Sequence, residues 1–329
     1  MELQGNPISG DAIHNKISQC RSDLSTQIIG QERLLERLLI ALLSDGHLIV
    51  EGAPGLAKTT AIKALANSID AEFQRIQFTP DLLPSDLTGT EIYRPQTSEF
   101  VFQNGPLFHN ILLADEINRA PAKVQSALLE AMGERQITVG HTTYPLPELF
   151  MVMATQNPIE HEGTYPLPEA QLDRFLMHVT IDYPDVESEK RILELVRNQS
   201  LKVKPASTQS LSQADLLQAR QQVLATHLAP QLEEYIVQFV AATRNPGRYS
   251  AELARFLSIG ASPRATLALD RGVRAKAWLN GRDFVLPEDI QDLIPDVLRH
   301  RLILSFEAEA QGQTADSVVQ HLLELVPVP

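Results

Sequence analysis

Glu51-Gly-Ala-Pro-Gly-Leu-Ala-Lys-Thr59 decides the reading of this chain. The apolar run His47-Leu-Ile-Val50 precedes it, and a helix-like stretch from Thr60 to Ile69 follows. Strand, glycine-rich loop and helix in that order form a cradle for a nucleoside triphosphate. Backbone N–H groups of such a loop point at phosphate oxygens, and the helix N-terminus adds its positive dipole end. The pattern assigns Lys58 to the β- and γ-phosphates of ATP and the Thr59 hydroxyl to Mg²⁺. Ala57 stands where the general pattern has its second glycine. An ordinary glycine-rich turn is the bland alternative, and the preceding strand argues against it.

The bulk composition narrows the field. The chain has 329 residues, 43% of them hydrophobic and 21% charged, which suits two domains of a soluble globular protein. A net charge of −13 argues against broad binding to nucleic acid or an anionic membrane, which needs a dense basic face. The single cysteine, Cys20, excludes an intrachain disulfide and offers no metal cluster. The start, Met-Glu-Leu-Gln-Gly, has neither a basic segment nor an apolar core. Leu34–Leu43 is broken by Glu36 and Arg37 and is too short to span a bilayer, so no membrane insertion and a cytoplasmic location are expected.

Outward from the loop, strand and helix patterns alternate. Residues 11–25 read as a polar amphipathic helix, and Gln31–Leu43 as a stronger one with Leu34, Leu35, Leu38, Leu39 and Leu42 at helical spacing. Phe73–Phe78 alternates like a strand. Ile111-Leu-Leu-Ala114 and Leu149–Ala154 are continuous apolar runs of the kind buried on both faces of a parallel sheet. Ala122–Met132 reads as a helix. The expected fold is α/β: a parallel sheet with helices on both faces. Gly89–Gly105 and Gln136–Tyr144 read as inserted hairpins. From Glu187 onward the pattern is helical, with no further buried strand evident. Ser207–Gln213 is a polar connector. Helices are expected near Ala214–Thr226, Gln231–Thr243, Pro263–Leu279 and Pro287–Leu298. The expected division is a nucleotide-binding core over 1–185 and a helical lid over 186–329.

Four further motifs carry chemistry. Asp115-Glu116 ends a buried strand, where ligands bind in parallel α/β sheets. Asp115 can hold Mg²⁺ beside Thr59, and Glu116 can orient and deprotonate the attacking water. The competing reading is an acidic pair capping the next helix. Ala154-Thr-Gln-Asn-Pro158 ends the next apolar strand; Asn157, with Thr155 as second choice, is the candidate to touch the γ-phosphate or the lytic water, against a plain Asn-Pro turn. Arg174, in Leu172-Asp-Arg-Phe175, can neutralise charge on a transferring phosphoryl group, against a surface pair with Asp173. In Gly260-Ala-Ser-Pro-Arg264, Ser262 fits an N-cap and Pro263 the first helical position. Arg264 then occupies a first turn that favours anions, so a phosphate-binding task from the lid side is its reading, against a solvated arginine.

The ordered set GAPGLAKT, LLADEINR, ATQNP, LPEAQLDRF and GASPRA resembles an AAA+ ATPase of the MoxR family, over Ile28 to Arg301. The resemblance implies a P-loop NTPase core followed by an all-α lid. It assigns Gly52, Ala53, Pro54, Gly55, Leu56, Ala57, Lys58, Thr59 and the adjoining Thr60 to the Walker A loop, where Ala57 is common in this family. It assigns Asp115 and Glu116 to Walker B, Asn157 to sensor 1, Arg174 to the arginine finger and Arg264 to sensor 2. Ile28, Ile29 and Gly30 resemble the segment lining the adenine pocket. It implies ATP and Mg²⁺, a homo-oligomeric and commonly hexameric ring with nucleotide at subunit junctions, and remodelling of partner proteins, often ones with von Willebrand factor A domains. On this reading a lid arginine and a neighbour's finger both touch the γ-phosphate, so hydrolysis changes the lid angle and the subunit contact. Two other functions compete: the motor subunit of a chelatase-like metal-insertion complex, and a nucleotide-dependent binding switch with little turnover. The first lacks any porphyrin-recognising feature here, and the second should lack a base, whereas Glu116 is present.

Overall fold

The computed structural model describes residues 12–157, 163–200 and 211–329. Helices α1 (Ala12–Gln27) and α2 (Glu32–Leu43) lead into β1 (Leu48–Glu51), and α3 (Lys58–Ser68) follows the loop. Next come β2 (Phe73–Gln77), α4 (Pro84–Thr88), the hairpin β3 (Gly89–Arg94) and β4 (Glu99–Asn104), then β5 (Ile111–Asp115) and α5 (Ala122–Glu134). A second hairpin, β6 (Gln136–Val139) and β7 (Thr142–Pro145), precedes β8 (Met151–Gln156), α6 (Glu169–Leu172) and β9 (Met177–Thr180). Beyond them run α7 (Val186–Ser200), α8 (Gln213–Ala225), α9 (Pro230–Arg244), α10 (Ala251–Phe256), β10 (Leu257–Ile259), α11 (Pro263–Leu279), α12 (Pro287–Leu298), β11 (Ile303–Leu304), α13 (Phe306–Ala310) and α14 (Ala315–Leu325). Most of the connector read at Ser207–Gln213 and Pro158 of the ATQNP motif lie outside the described residues.

The main sheet has the order β2-β5-β8-β1-β9, parallel throughout. Side chains of a strand alternate between its two faces. Ile111 and Leu113 of β5 accordingly enter one core and Leu112 and Ala114 the other. The first core holds α1, α2 and α3 together with α8, α9, α11, α12 and α14, and runs unbroken across residue 185. The second holds α5 and Ile137 of the β6–β7 hairpin. Burial on both faces explains the continuous apolar runs of β1, β5 and β8. β9 completes the sheet beside β1; Met177-His-Val-Thr is too short and too polar to stand out as a buried strand. The helical part also carries a short antiparallel ribbon, β10 with β11, absent from the sequence-based expectation. Both inserted hairpins form, and Phe102 of one stacks on Tyr144 of the other with ring centroids 4.2 Å apart.

A buried ion network ties α2 to α12. Arg37 Nε donates to Asp296 Oδ2 at 2.8 Å, and both side chains are buried. Arg33, Arg299 and Asp292 extend the cluster. Burial alone would raise the Asp296 carboxyl, but Arg37 and Arg33 overcome it and hold the group below its ordinary range. With the folded value depressed, this stabilisation is complete above the unfolded value of about 3.9 and is lost as pH falls through the lower folded one. Asp296→Ala strands part of the Arg37 charge, and chemical denaturation should register a loss of about 3 kcal/mol. A loss below about 1 kcal/mol would mean that the network is solvated enough to be dispensable.

Candidate active site

The carboxyl ends of β1, β5 and β8 lie side by side, so the segments that follow them converge on one cleft of about 370 Å³. Its walls are Pro54, Gly55, Leu56 and Ala57 from the loop, Lys58, Thr59 and Thr60 from the first turn of α3, Asp115 and Glu116 at the end of β5, and Thr155, Gln156 and Asn157 at the end of β8. Arg75 of β2 completes it.

The loop starts where two strands nearly touch. A Cβ on Gly52 would come within 2.8 Å of the Ile181 carbonyl oxygen, so only glycine fits against the end of β9. Ala57 has φ 58°, the left-handed region that glycine enters without cost. It holds that turn immediately before α3 begins at Lys58. The Lys58 ammonium donates to the Gly52 carbonyl at 2.7 Å. Burial lowers its pKa, while Asp115, Glu116 and Glu51 oppose the shift.

Both adjacent carboxylates are held by several partners. Thr155 donates its hydroxyl to Asp115 Oδ1 at 2.6 Å and accepts the Glu116 N–H at 2.9 Å. The second-choice residue of the ATQNP motif thus serves as a brace between the carboxylate strand and β8. Glu116 itself has φ 56° and accepts from Gln77 Nε2 at 2.9 Å; Arg119 Nε lies 3.0 Å from the same oxygen. Gln77, Arg75 and Arg119 escaped the sequence reading. In β2, Arg75 and Gln77 are two residues apart and share a face, but that spacing does not name their partners.

Ile28 and Ile29 are buried, and neither lines the cleft. Gly30 has φ 74°, and a Cβ there would approach Pro184 Cβ to 2.7 Å. Gln31 donates to the Asp182 carbonyl, which ties this segment to the entry of α7.

Arg174 and Arg264 are not in the triphosphate cleft. They line a second one, of about 320 Å³, together with Arg271, Arg135, Asp173 and Gly133. Arg264 lies 3.6 Å from Asp173, and the Ser262 hydroxyl donates to the same carboxylate at 2.8 Å. The first turn of α11 is thereby fixed beside Arg174. The lid arginine thus lines a cleft apart from the one that its own chain's loop forms. Arg174 donates to the Leu129 carbonyl and passes over Gly133, where a Cβ would sit 2.4 Å from Nη1. Arg271 is seven residues beyond Arg264 on α11, a spacing that puts the two on one helix face.

Among the described residues no group of three or more His, Cys, Asp or Glu side chains could hold a metal alone. A hydroxyl and one carboxylate, Thr59 and Asp115, suit Mg²⁺, which takes few protein ligands and relies on phosphate and water oxygens. No helix among the described residues is long and apolar enough to cross a membrane.

Residues 47–177 match the model of the ATPase family associated with various cellular activities (AAA), and residues 252–322 match that of the AAA lid domain. Chaperone MoxR1 of Mycobacterium tuberculosis is 47% identical over 303 residues, which are 92% of this chain and 79% of that one. The chain belongs to the MoxR family of AAA+ ATPases. YeaC of Bacillus subtilis, an uncharacterized protein, is 42% identical over 96% of both chains. A crystal structure of a candidate ATPase from Cytophaga hutchinsonii matches 96% of both chains with a TM-score of 0.89 and 47% identity. The fold is thus the P-loop AAA+ core with its helical lid. In a MoxR protein the cleft after β1, β5 and β8 is the nucleotide site implied by the family.

Proposed function

We propose that this chain hydrolyses ATP at junctions between copies of itself and uses the cycle to remodel partner proteins. The observation that carries this reading is the division of labour between the two clefts. One holds Lys58, Thr59, Asp115, Glu116 and Asn157; the other holds Arg174, Arg264 and Arg271, and the two share no lining residue. Cations stabilise the charge on a transferring phosphoryl group, and an arginine from a neighbouring chain can be one of them. The arginine cleft of one copy set against the loop cleft of the next would supply it, and repetition of such a head-to-tail contact makes a ring when the rotation between copies closes. Six copies are our expectation for its size.

Within the junction, Lys58 leaves the Gly52 carbonyl for the β- and γ-phosphates. Glu116 takes a proton from the attacking water as its oxygen bonds to the γ-phosphorus. The bond from that phosphorus to the β,γ-bridging oxygen breaks, and ADP departs. Mg²⁺, held by Thr59 and Asp115, would offset charge on the phosphates. Asn157 orients the water or a γ-oxygen. Ile28, Ile29 and Gly30 border the adenine. The neighbour's Arg174 and Arg264 carry the charge that spreads over the transferring group.

The name of the Mycobacterium tuberculosis relative, a chaperone, favours remodelling of proteins. The paired hairpins, with Tyr93 and Phe100 exposed, would carry the motion to the partner. Proteins with von Willebrand factor A domains, in the cytoplasm, are the partners we expect. Lys58→Ala should abolish ATP binding in equilibrium dialysis, because among the described residues no other lysine lines the cleft. Wild-type affinity in that variant would refute the loop's role. Light scattering with and without ATP tests assembly, and a chain that stays monomeric while hydrolysing ATP would refute the junction.

A further inference from the structure

Helix α11 leaves one face bare beside the arginine cleft. Arg264, Leu267 and Arg271 are three and four residues apart, so they share a side of the helix, and all three are exposed and line that cleft. Five arginines line it against two aspartates, Asp45 and Asp173, in a chain whose net charge is −13. Both aspartates are engaged already, Asp45 by Arg135 and Arg220 and Asp173 by Arg301 and Arg264. Arg271 has no ion pair among the described residues. Its carbonyl accepts the Ser44 hydroxyl at 3.2 Å, which holds that turn of the helix in place. Leu267, 59% exposed, lies between the turns that carry Arg264 and Arg271.

A matching surface adjoins the triphosphate cleft. The Phe78 N–H donates to the Asp115 carbonyl at 2.9 Å, so the chain leaves β2 beside the carboxylates of that cleft. It turns at once: the Leu82 N–H donates to the Thr79 carbonyl at 3.2 Å, and α4 begins at Pro84. Leu82 packs against the second core, whereas Leu83 is 59% exposed and Asp81 is exposed beside it. The Thr79 hydroxyl holds the Asp81 carboxyl below its ordinary range, so the group is an anion at neutral pH. One such leucine on a surface needs no explanation. Here an exposed leucine stands next to an anion on one surface, and an exposed leucine stands next to an unpaired cation on the other.

We propose that the Asp81–Leu83 turn of one copy docks on the α11 face of the next, Leu83 against Leu267 and Asp81 against Arg271. Charge complementarity is the first argument for a second copy as the occupant. Continuity with the junction is the other. Arg264 begins the same face and is directed there at the neighbour's γ-phosphate. Leu267 and Arg271 lie about 4.5 and 10.5 Å farther along the helix axis, which brings them over the surface flanking the neighbour's cleft. Each copy carries both surfaces, so the contact is head-to-tail and recurs at every junction. Docking of the turn would set the register in which Arg264 meets the phosphate. This inference rests on the junction reading given above.

The test uses the full chain in ATP, with assembly followed by light scattering. Asp81→Arg and Arg271→Glu each set like charges face to face, and each should raise the chain concentration at half assembly about tenfold. A chain carrying both substitutions regains the pair with its signs reversed, and its half-assembly concentration should return to within about threefold of wild type. Proximity is read separately, with the buried Cys20 left in place. Leu83→Cys copies mixed with Leu267→Cys copies should be joined by a short bismaleimide, and neither variant alone should be. Additive losses in the doubly substituted chain, or no cross-link between copies that do assemble, overturns the docking contact alone. A wild-type chain that hydrolyses ATP without assembling removes the junction reading and this inference with it.

Discussion

Glu116→Gln should retain ATP and lower its hydrolysis by about 10²–10⁴-fold, the usual contribution of a positioned general base. The substitution keeps the shape of the side chain and its place beside Gln77 and Arg119. An amide oxygen can still accept from Gln77 Nε2, so the turn at φ 56° has no new reason to move. Lost is the capacity to take a proton from water. Phosphate release measures the rate, and filter binding measures the ATP retained. Hydrolysis within about threefold of wild type would transfer the base to another group. Loss of ATP binding would make Glu116 part of the binding surface instead.

Arg174→Ala should also stop turnover, by about 10³-fold or more, the range for an arginine supplied across an interface. Its contacts within the chain are a bond to the Leu129 carbonyl and the passage over Gly133, so the fold should survive. The decisive measurement mixes the two inactive proteins. A Glu116→Gln copy still offers Arg174, and an Arg174→Ala copy still offers Glu116. When the first stands beside the second in the right order, the junction is complete. Random mixing at equal amounts makes about a quarter of head-to-tail junctions of that kind, and activity should recover to about that fraction of wild type. An inactive mixture whose copies demonstrably exchange would place the finger's target within its own chain, against the separation of the two clefts.

The parts of this site that are local in sequence were legible from it. The loop before α3, the carboxylates after β5 and the amide after β8 each follow a strand whose apolar run is unmistakable, because burial on both faces leaves no room for polar residues. The same logic explains the failure at β9, a four-residue strand with His178 and Thr180 in it. Pairings between segments left no comparable trace. Nothing in Phe73–Gln77 says that its arginine and glutamine reach carboxylates about forty residues away. The N-cap of α11 was readable from Ser262-Pro263, but the cleft that Arg264 faces depends on Asp173, a partner supplied by another segment. Ala57 was readable as an exception and became intelligible only with its left-handed backbone.

The attachment of α12 also decides where motion can occur. Arg37 binds this helix to α2, and just beyond its end Arg299 reaches the His178 carbonyl and Arg301 the Phe175 carbonyl. Swinging the lid away from the sheet would break these attachments together, whereas moving the protomer as one block keeps them all. In a ring of such blocks, the ATP cycle would be stored as strain in the angles between neighbours and not as a hinge within any one of them.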